Sequence, residues 1–260
     1  MNQVKNEETT DAAWNGLYRI GGAAALIAAL IFRRWLAAEF MLLRSTGIIN
    51  SGPSVVPSSV VDWFTLLQTH TLIGLILLNV FDLVNYALVG LIFLGLYAAL
   101  VQTNKSSMTL AIALCLVGIA VYFSSNQSFS MLSLSKQYAA ATTDAQRSMF
   151  LAAGQAMLAS YNPGVDYQGT GFYMSFFLVN LAGLIVSVVM LRSSIFSKVA
   201  AYMGILANSF GLGYFIALAF APAMVFIPLS VSAPFLLIWY LLIARRLLQL
   251  GSGVLKRGAQ

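Results

Sequence analysis

The sequence predicts an all-α protein, a polytopic transmembrane bundle of six spanning helices plus one short amphipathic helix on the membrane surface. Three observations carry that expectation. Hydrophobic residues make up 60% of the 260 and charged residues 8%, where soluble domains hold about half and about a quarter. Mean hydropathy is +0.84. Six apolar stretches each reach the roughly 20 helical residues that cross a hydrocarbon core about 30 Å thick.

The first stretch begins after a polar, acidic tail, residues 1–13, with Glu7, Glu8 and Asp11. A secretory signal has a basic start followed at once by a short apolar run, so the first helix is expected to be a retained anchor. It is predicted from Trp14 to Phe32, with extension to Leu43 as an alternative. Trp14 and Tyr18 suit an interfacial aromatic belt. Gly21, Ala25 and Ala29 repeat every four residues, which lets another helix approach closely. Ser45 to Ser59 holds Gly47, Gly52, Pro53 and Pro57 and reads as a loop.

The second helix is predicted as one run from Thr69 to Val101, about 50 Å at 1.5 Å per residue, so it must tilt or project beyond the bilayer. Asn104-Lys105-Ser106-Ser107 is a turn, and the third helix runs from Met108 to Ser135. Thr143-Asp144-Ala145-Gln146 has a capping-box pattern, and Met149, Phe150, Ala153, Ala156 and Met157 follow at helical spacing. This surface helix closes at Asn162-Pro163-Gly164. The last three spans are predicted at Gly169 to Leu191, Ser197 to Phe220 and Phe226 to Leu248. Pro228 and Pro234 are placed in the first turns of the last helix, where a missing N–H costs least. Residues 14–249 thus read as a single transmembrane bundle, with a basic tail at 250–260.

The formal charge of +6 would suggest nucleic acid in a soluble chain. Here the cations cluster at helix ends. Lys5, Arg19, Lys105, Arg192, Lys198, Arg245, Arg246, Lys256 and Arg257 fall on one side, and Arg44, Lys136 and Arg147 on the other. The positive-inside rule puts both termini in the cytoplasm of a multi-pass protein whose partners are membrane lipids, not nucleic acid. A second copy of the chain or a partner membrane subunit stays open. One cysteine, Cys115, and one histidine, His70, exclude an internal disulfide, a Cys/His zinc site and a bis-His haem. Neither a metal site nor a cofactor is expected, and no catalytic residue stands out.

Polar groups at membrane depth need a reason. Asp82 sits near the middle of the predicted second helix, and Asn79, Asp82, Tyr86, Gly90 and Tyr97 share one narrow face that Gln68 extends outward. That face reads either as the wall of a ligand cavity or as a network that locks helix packing. Arg33 and Arg34 either pair with Asp82 or snorkel to the outer interface beside Trp35. Ser124-Ser125-Asn126-Gln127-Ser128 covers the whole circumference of a helix, so it needs water or burial in the bundle. Asn180 and Asn208 add two more groups, the latter flanked by Gly204 and Gly211, which suit close packing. The candidate ligand-binding set is therefore Arg33, Arg34, Asn79, Asp82, Asn85, Tyr86, Asn126, Gln127, Asn180 and Asn208. It would line an outward chamber for a lipid or small amphipath, with the 143–160 segment across its mouth. A transporter or channel is the alternative, and an intramembrane enzyme ranks third.

Three stretches carry a resemblance. Leu17-Tyr18-Arg19-Ile20-Gly21-Gly22, the run from Ser133 to Arg147 (SLSKQYAAATTDAQR), and the run from Met190 to Ile205 (MLRSSIFSKVAAYMGI) are similar to the prokaryotic membrane family called domain of unknown function 4386. The likeness covers most of the chain, in order. It implies a six-helix bundle in a bacterial or archaeal cytoplasmic membrane and supplies no catalytic residue.

Overall fold

The computed structural model describes residues 14–33, 57–161 and 169–252. Ten α-helices and no strand occur among them. They are α1 (Trp14–Arg33), α2 (Val60–Thr69), α3 (Thr71–Leu77), α4 (Val80–Leu100), α5 (Lys105–Ser125), α6 (Ser128–Ala140), α7 (Asp144–Ser160), α8 (Thr170–Arg192), α9 (Lys198–Phe220) and α10 (Phe226–Gly251). Six helical stretches are long and apolar enough to span: α1, α4, α5 with α6, α8, α9, and α10 with the short 3-10 turn before it. Large apolar side chains lie bare on these helices, among them Leu110, Val117, Ile216 and Phe220. A soluble monomer rarely tolerates such a surface, which suits a lipid surrounding. The all-α bundle is thus as predicted.

Two predicted helices are broken. The run expected from Thr69 to Val101 is interrupted at His70 and again at Leu78–Asn79, so the span proper is α4. Its 21 residues cover about 31 Å, one hydrocarbon thickness. Asp82 consequently sits in the first turn of a spanning helix, not in the middle of one. Carboxylates are favoured there by the helix dipole and avoid the bilayer centre. The third predicted helix breaks at Asn126–Gln127, between α5 and α6. The all-round polar stretch 124–128 is therefore a helix end. A further helix, α2, occupies residues that the sequence reading left unassigned. Pro234 lies inside α10 rather than in its first turns.

By their contacts the residues form two compact units. One is drawn from Met1–Ala38, Asn85–Ile119 and Phe177–Gln260. In it α1 meets α4 where Gly21 and Gly95 face each other, so close that a Cβ on either would touch the other's backbone. Ala25 and Ala29 are buried on the same stripe. Small residues every four positions thus do what the spacing predicts. Arg19 donates from Nε to Gly251 O at 2.8 Å, which satisfies a carbonyl at the end of α10. The α9–α10 pair is joined by the Phe210–Phe235 stack and by Ser232 Oγ donating to Ala207 O at 2.8 Å.

The other unit is drawn from Glu39–Val84 and Ala120–Phe176. Its core is Val60, Trp63, Phe64 and Leu67 of α2, Leu78 after α3, Met131 of α6 and Leu158 of α7. Ser59 caps α2 by accepting from Asp62 N. Thr143 and Gln146 form the predicted capping box of α7. That helix packs on α2 through Gly154, whose missing Cβ leaves room for Val60 and Phe64. Gln68 Nε2 donates to Ser135 O and Ser135 Oγ to Phe64 O, which pins α2 to α6.

Candidate functional site

The two breaks meet. Asn79 has φ +60°, a left-handed conformation that costs a non-glycine residue about 1 kcal/mol and that asparagine tolerates best. At the other break, Asn126 Oδ1 accepts from Ser128 N at 3.0 Å, a local turn that competes with helix continuation. Ser128 Oγ lies 2.6 Å from both Asn126 Oδ1 and Leu78 O. With one proton it serves one acceptor at a time, and it ties the unwound turn before α4 to the start of α6.

Between the breaks lies a chain of side-chain hydrogen bonds. Tyr161, at the end of α7, is 1% exposed, and Tyr122 near the end of α5 is fully buried. Asn79 Nδ2 donates to Tyr161 Oη at 3.1 Å, and Asn126 Nδ2 reaches it at 3.5 Å. Tyr122 donates to Asp82 Oδ2 at 3.3 Å. The two hydroxyls are 3.5 Å apart. Tyr122 has spent its only proton on Asp82, so Tyr161 must be the donor between them. With that bond made, two carboxamides feed Tyr161, which feeds Tyr122, which feeds the carboxylate. Burial raises the Tyr161 phenol above its ordinary pKa, so it stays protonated and able to donate.

Asn79, Asp82 and Asn126 of the predicted set are thus brought together. Tyr122 and Tyr161 complete the cluster, and the sequence reading passed over both. The signal for Tyr122 was available: it lies two residues before the polar run 124–128. Tyr161 had none, since it follows the surface helix. Gln127 is the residue before α6 and makes no side-chain capping bond. Asn85, one turn beyond Asp82 on α4, buries an Oδ1 that has no partner. Tyr86 is buried on the same helix. Arg33 is exposed at the end of α1. Arg34 lies outside the described residues, as does the Asn162-Pro163-Gly164 stop. Asp82 has no ion-pair partner among the described residues, where Arg147 and Asp144 at 3.9 Å form the one salt bridge.

Asn180 and Asn208 lie on α8 and α9. On α8 and α9 three rungs pair a polar side chain with a glycine of the facing helix. A Cβ on Gly211 would strike Asn180 Oδ1, one on Gly183 would strike Asn208 Oδ1, and one on Gly204 would strike Ser187 Oγ and the Trp239 indole. The register is antiparallel: 180 with 211, 183 with 208, 187 with 204. Asn208 Nδ2 also donates to Gly204 O at 2.7 Å, and Ser187 Oγ to Gly183 O at 2.7 Å, each within its own helix. Polar groups are satisfied locally while glycine lets the helices close up.

Among the described residues no group of three His, Cys, Asp or Glu side chains could hold a metal ion. No protein-family model, no curated protein and no solved structure matches the chain. What stands is the class: an all-α integral membrane protein with six helices long and apolar enough to span, and with a hydrogen-bonded cluster at the broken helices among the described residues.

Proposed function

We propose that this protein binds a small amphipathic molecule in a prokaryotic cytoplasmic membrane, with the polar head of the ligand taken at Asp82. One observation carries the reading. A carboxylate offers about four acceptor positions, and Asp82 uses one, at the long distance of 3.3 Å. The half-buried carboxylate therefore keeps most of its acceptor capacity open. A head group rich in donors, an ammonium above all, would complete it. The tyrosine chain holds the carboxylate in place from the far side. Lipid tails or an acyl chain would lie along the apolar flanks of the spans.

The test is thermal unfolding of the detergent-solubilised protein with long-chain amines and with carboxylic acids of equal chain length. The amines should raise the melting temperature of the wild type and leave Asp82→Asn unmoved. Equal responses to both ligand types, or in both proteins, would defeat the reading.

A transporter is the second reading, and the paired helix breaks favour it. Discontinuous helices whose ends face a polar cluster are the usual architecture of substrate and ion sites in transporters. Uptake of a charged amine into vesicles that follows Asp82 would select it over simple binding.

The Lys/Arg asymmetry supports both termini inside, and the motif likeness to the family noted above supports a prokaryotic inner membrane. Cysteines introduced at Ser160 should label from outside, and those at Ser106 and Ser252 should not. Labelling of Ser106 from outside would reverse the topology.

A further inference from the structure

A second, unrelated site lies at the turn between α8 and α9. A cavity of about 350 Å³ opens there, lined among others by Ser194, Ser197, Arg245, Arg246 and Gln249. We propose that it binds a phosphate group, the headgroup phosphate of an anionic phospholipid being the source that its place at a helix end favours.

Three features of the chain lead there. The first is charge without countercharge. From Tyr167 to Gln260 the sequence has no Asp or Glu, yet it carries Arg192, Lys198, Arg245, Arg246, Lys256 and Arg257. Among the described residues no carboxylate forms an ion pair with its two guanidinium groups. The second is how the donors are held. Arg246 donates its Nε to Ile195 O, which fixes the guanidinium against the turn and leaves four terminal N–H groups for an occupant. Ser197 Oγ accepts from Ala200 N, so its own proton remains available. Lys198 is spent on Leu191 O and takes no part. The third is the turn itself. Ser193 Oγ accepts from Ile195 N at 2.9 Å and Ser193 N donates to Met190 O, so the wall facing the arginines is a folded turn.

Two guanidinium forks, hydroxyl donors and a carboxamide suit a tetrahedral oxyanion, which accepts in several directions at once, better than a planar carboxylate. Basic pockets between spanning helices hold phospholipid heads in this way.

The experiment uses the full chain, extracted mildly and examined by native mass spectrometry and thermal unfolding. The probes are phosphatidylglycerol, phosphatidylcholine, a fatty acid and inorganic phosphate. Phosphatidylglycerol should bind and stabilise, and the fatty acid and phosphatidylcholine should do so far less. Arg245→Gln, which removes an exposed guanidinium that holds no turn, should weaken retention about tenfold, the worth of one charge-assisted hydrogen bond. Arg246→Lys should weaken it further. Lys105→Gln with Arg192→Gln removes two charges outside the cavity and should change little. Stabilisation by inorganic phosphate as strong as that by the lipid would assign the site to a free phosphate compound. Equal loss in the Lys105/Arg192 control, or no loss in Arg245→Gln, would show only diffuse surface charge and overturn the site.

Discussion

The α8–α9 pair and the cluster around Asp82 spend the same kinds of side chain in opposite ways. In the first, Asn180, Asn208 and Ser187 each sit over a glycine of the facing helix, and Asn208 and Ser187 also bond back to their own backbone. In the second, Asn79, Asn126, Tyr122 and Tyr161 converge through one another on a single carboxylate that remains under-served. A polar residue paired with glycine at helical spacing holds helices together. A polar residue at an interrupted backbone, where carbonyls and amides are already freed, is where a binding site can form. Asn180 and Asn208 are of the first kind, and Asn79, Asp82 and Asn126 of the second.

The largest expected effect tests the packing half of this contrast. Gly204→Val would drive side-chain atoms into Ser187 and the buried Trp239 ring, and neither can retreat. Overpacking of this kind costs about 1–3 kcal/mol and sometimes more, so thermal unfolding in detergent should show a large drop or no folded protein. Gly183→Ala should cost less, and Asn208→Ala should rescue it. The asparagine by itself is worth only about 0.6 kcal/mol, the usual value for polar contacts between membrane helices. A non-additive double mutant locates the energy in the clash. Additive losses would mean that Asn208 and Gly183 do not meet.

The next effect is on the cluster. Tyr161→Phe leaves the ring in place but strips an acceptor from the Asn79 and Asn126 carboxamides and the donor from Tyr122. Stranded polar groups at a buried position cost about 1–3 kcal/mol. Asp82→Asn should change melting by less than about 1 kcal/mol, because the carboxylate makes one weak bond, yet it should abolish ligand stabilisation. A variant that melts far below the wild type with ligand response intact would make Asp82 a packing residue, like Asn208.

How far the sequence reached follows the same line. Spans, the α1 stripe of Gly21, Ala25 and Ala29, and the Thr143 capping box were legible because each is a local pattern of spacing or side-chain type. The helix breaks were not. Residues 69–101 form one apolar run, and a hydropathy window cannot sense a single left-handed residue at Asn79. Ser59-Val60-Val61-Asp62 is a readable start signal for α2, masked by the glycines and prolines before it. The polar run 124–128 was read correctly as intolerable in mid-helix, yet its remedy is a helix end. Placing Asp82 at mid-span follows from missing these breaks, while its expected hydrogen bond within the helices is present, to the buried Tyr122. That three chain segments meet at Tyr161 is a tertiary fact with no local trace.

The smallest effect is the most diagnostic of the break itself. Asn79 combines a strained backbone with a useful carboxamide, and two substitutions separate them. Asn79→Gly removes the bond to Tyr161 but relieves the left-handed φ of +60°, so the two changes nearly offset and stability should move by less than about 1 kcal/mol. Asn79→Ala loses the same bond and keeps the strain, and it should melt below the glycine variant by about 1 kcal/mol. If alanine equals or exceeds glycine, the backbone at residue 79 is helical, α3 and α4 are one continuous helix, and Asp82 returns to the middle of a span. The sign of that one difference therefore decides whether the carboxylate sits at a helix end, where a ligand can reach it at modest electrostatic cost, or deep in a bundle, where it could only be a lock.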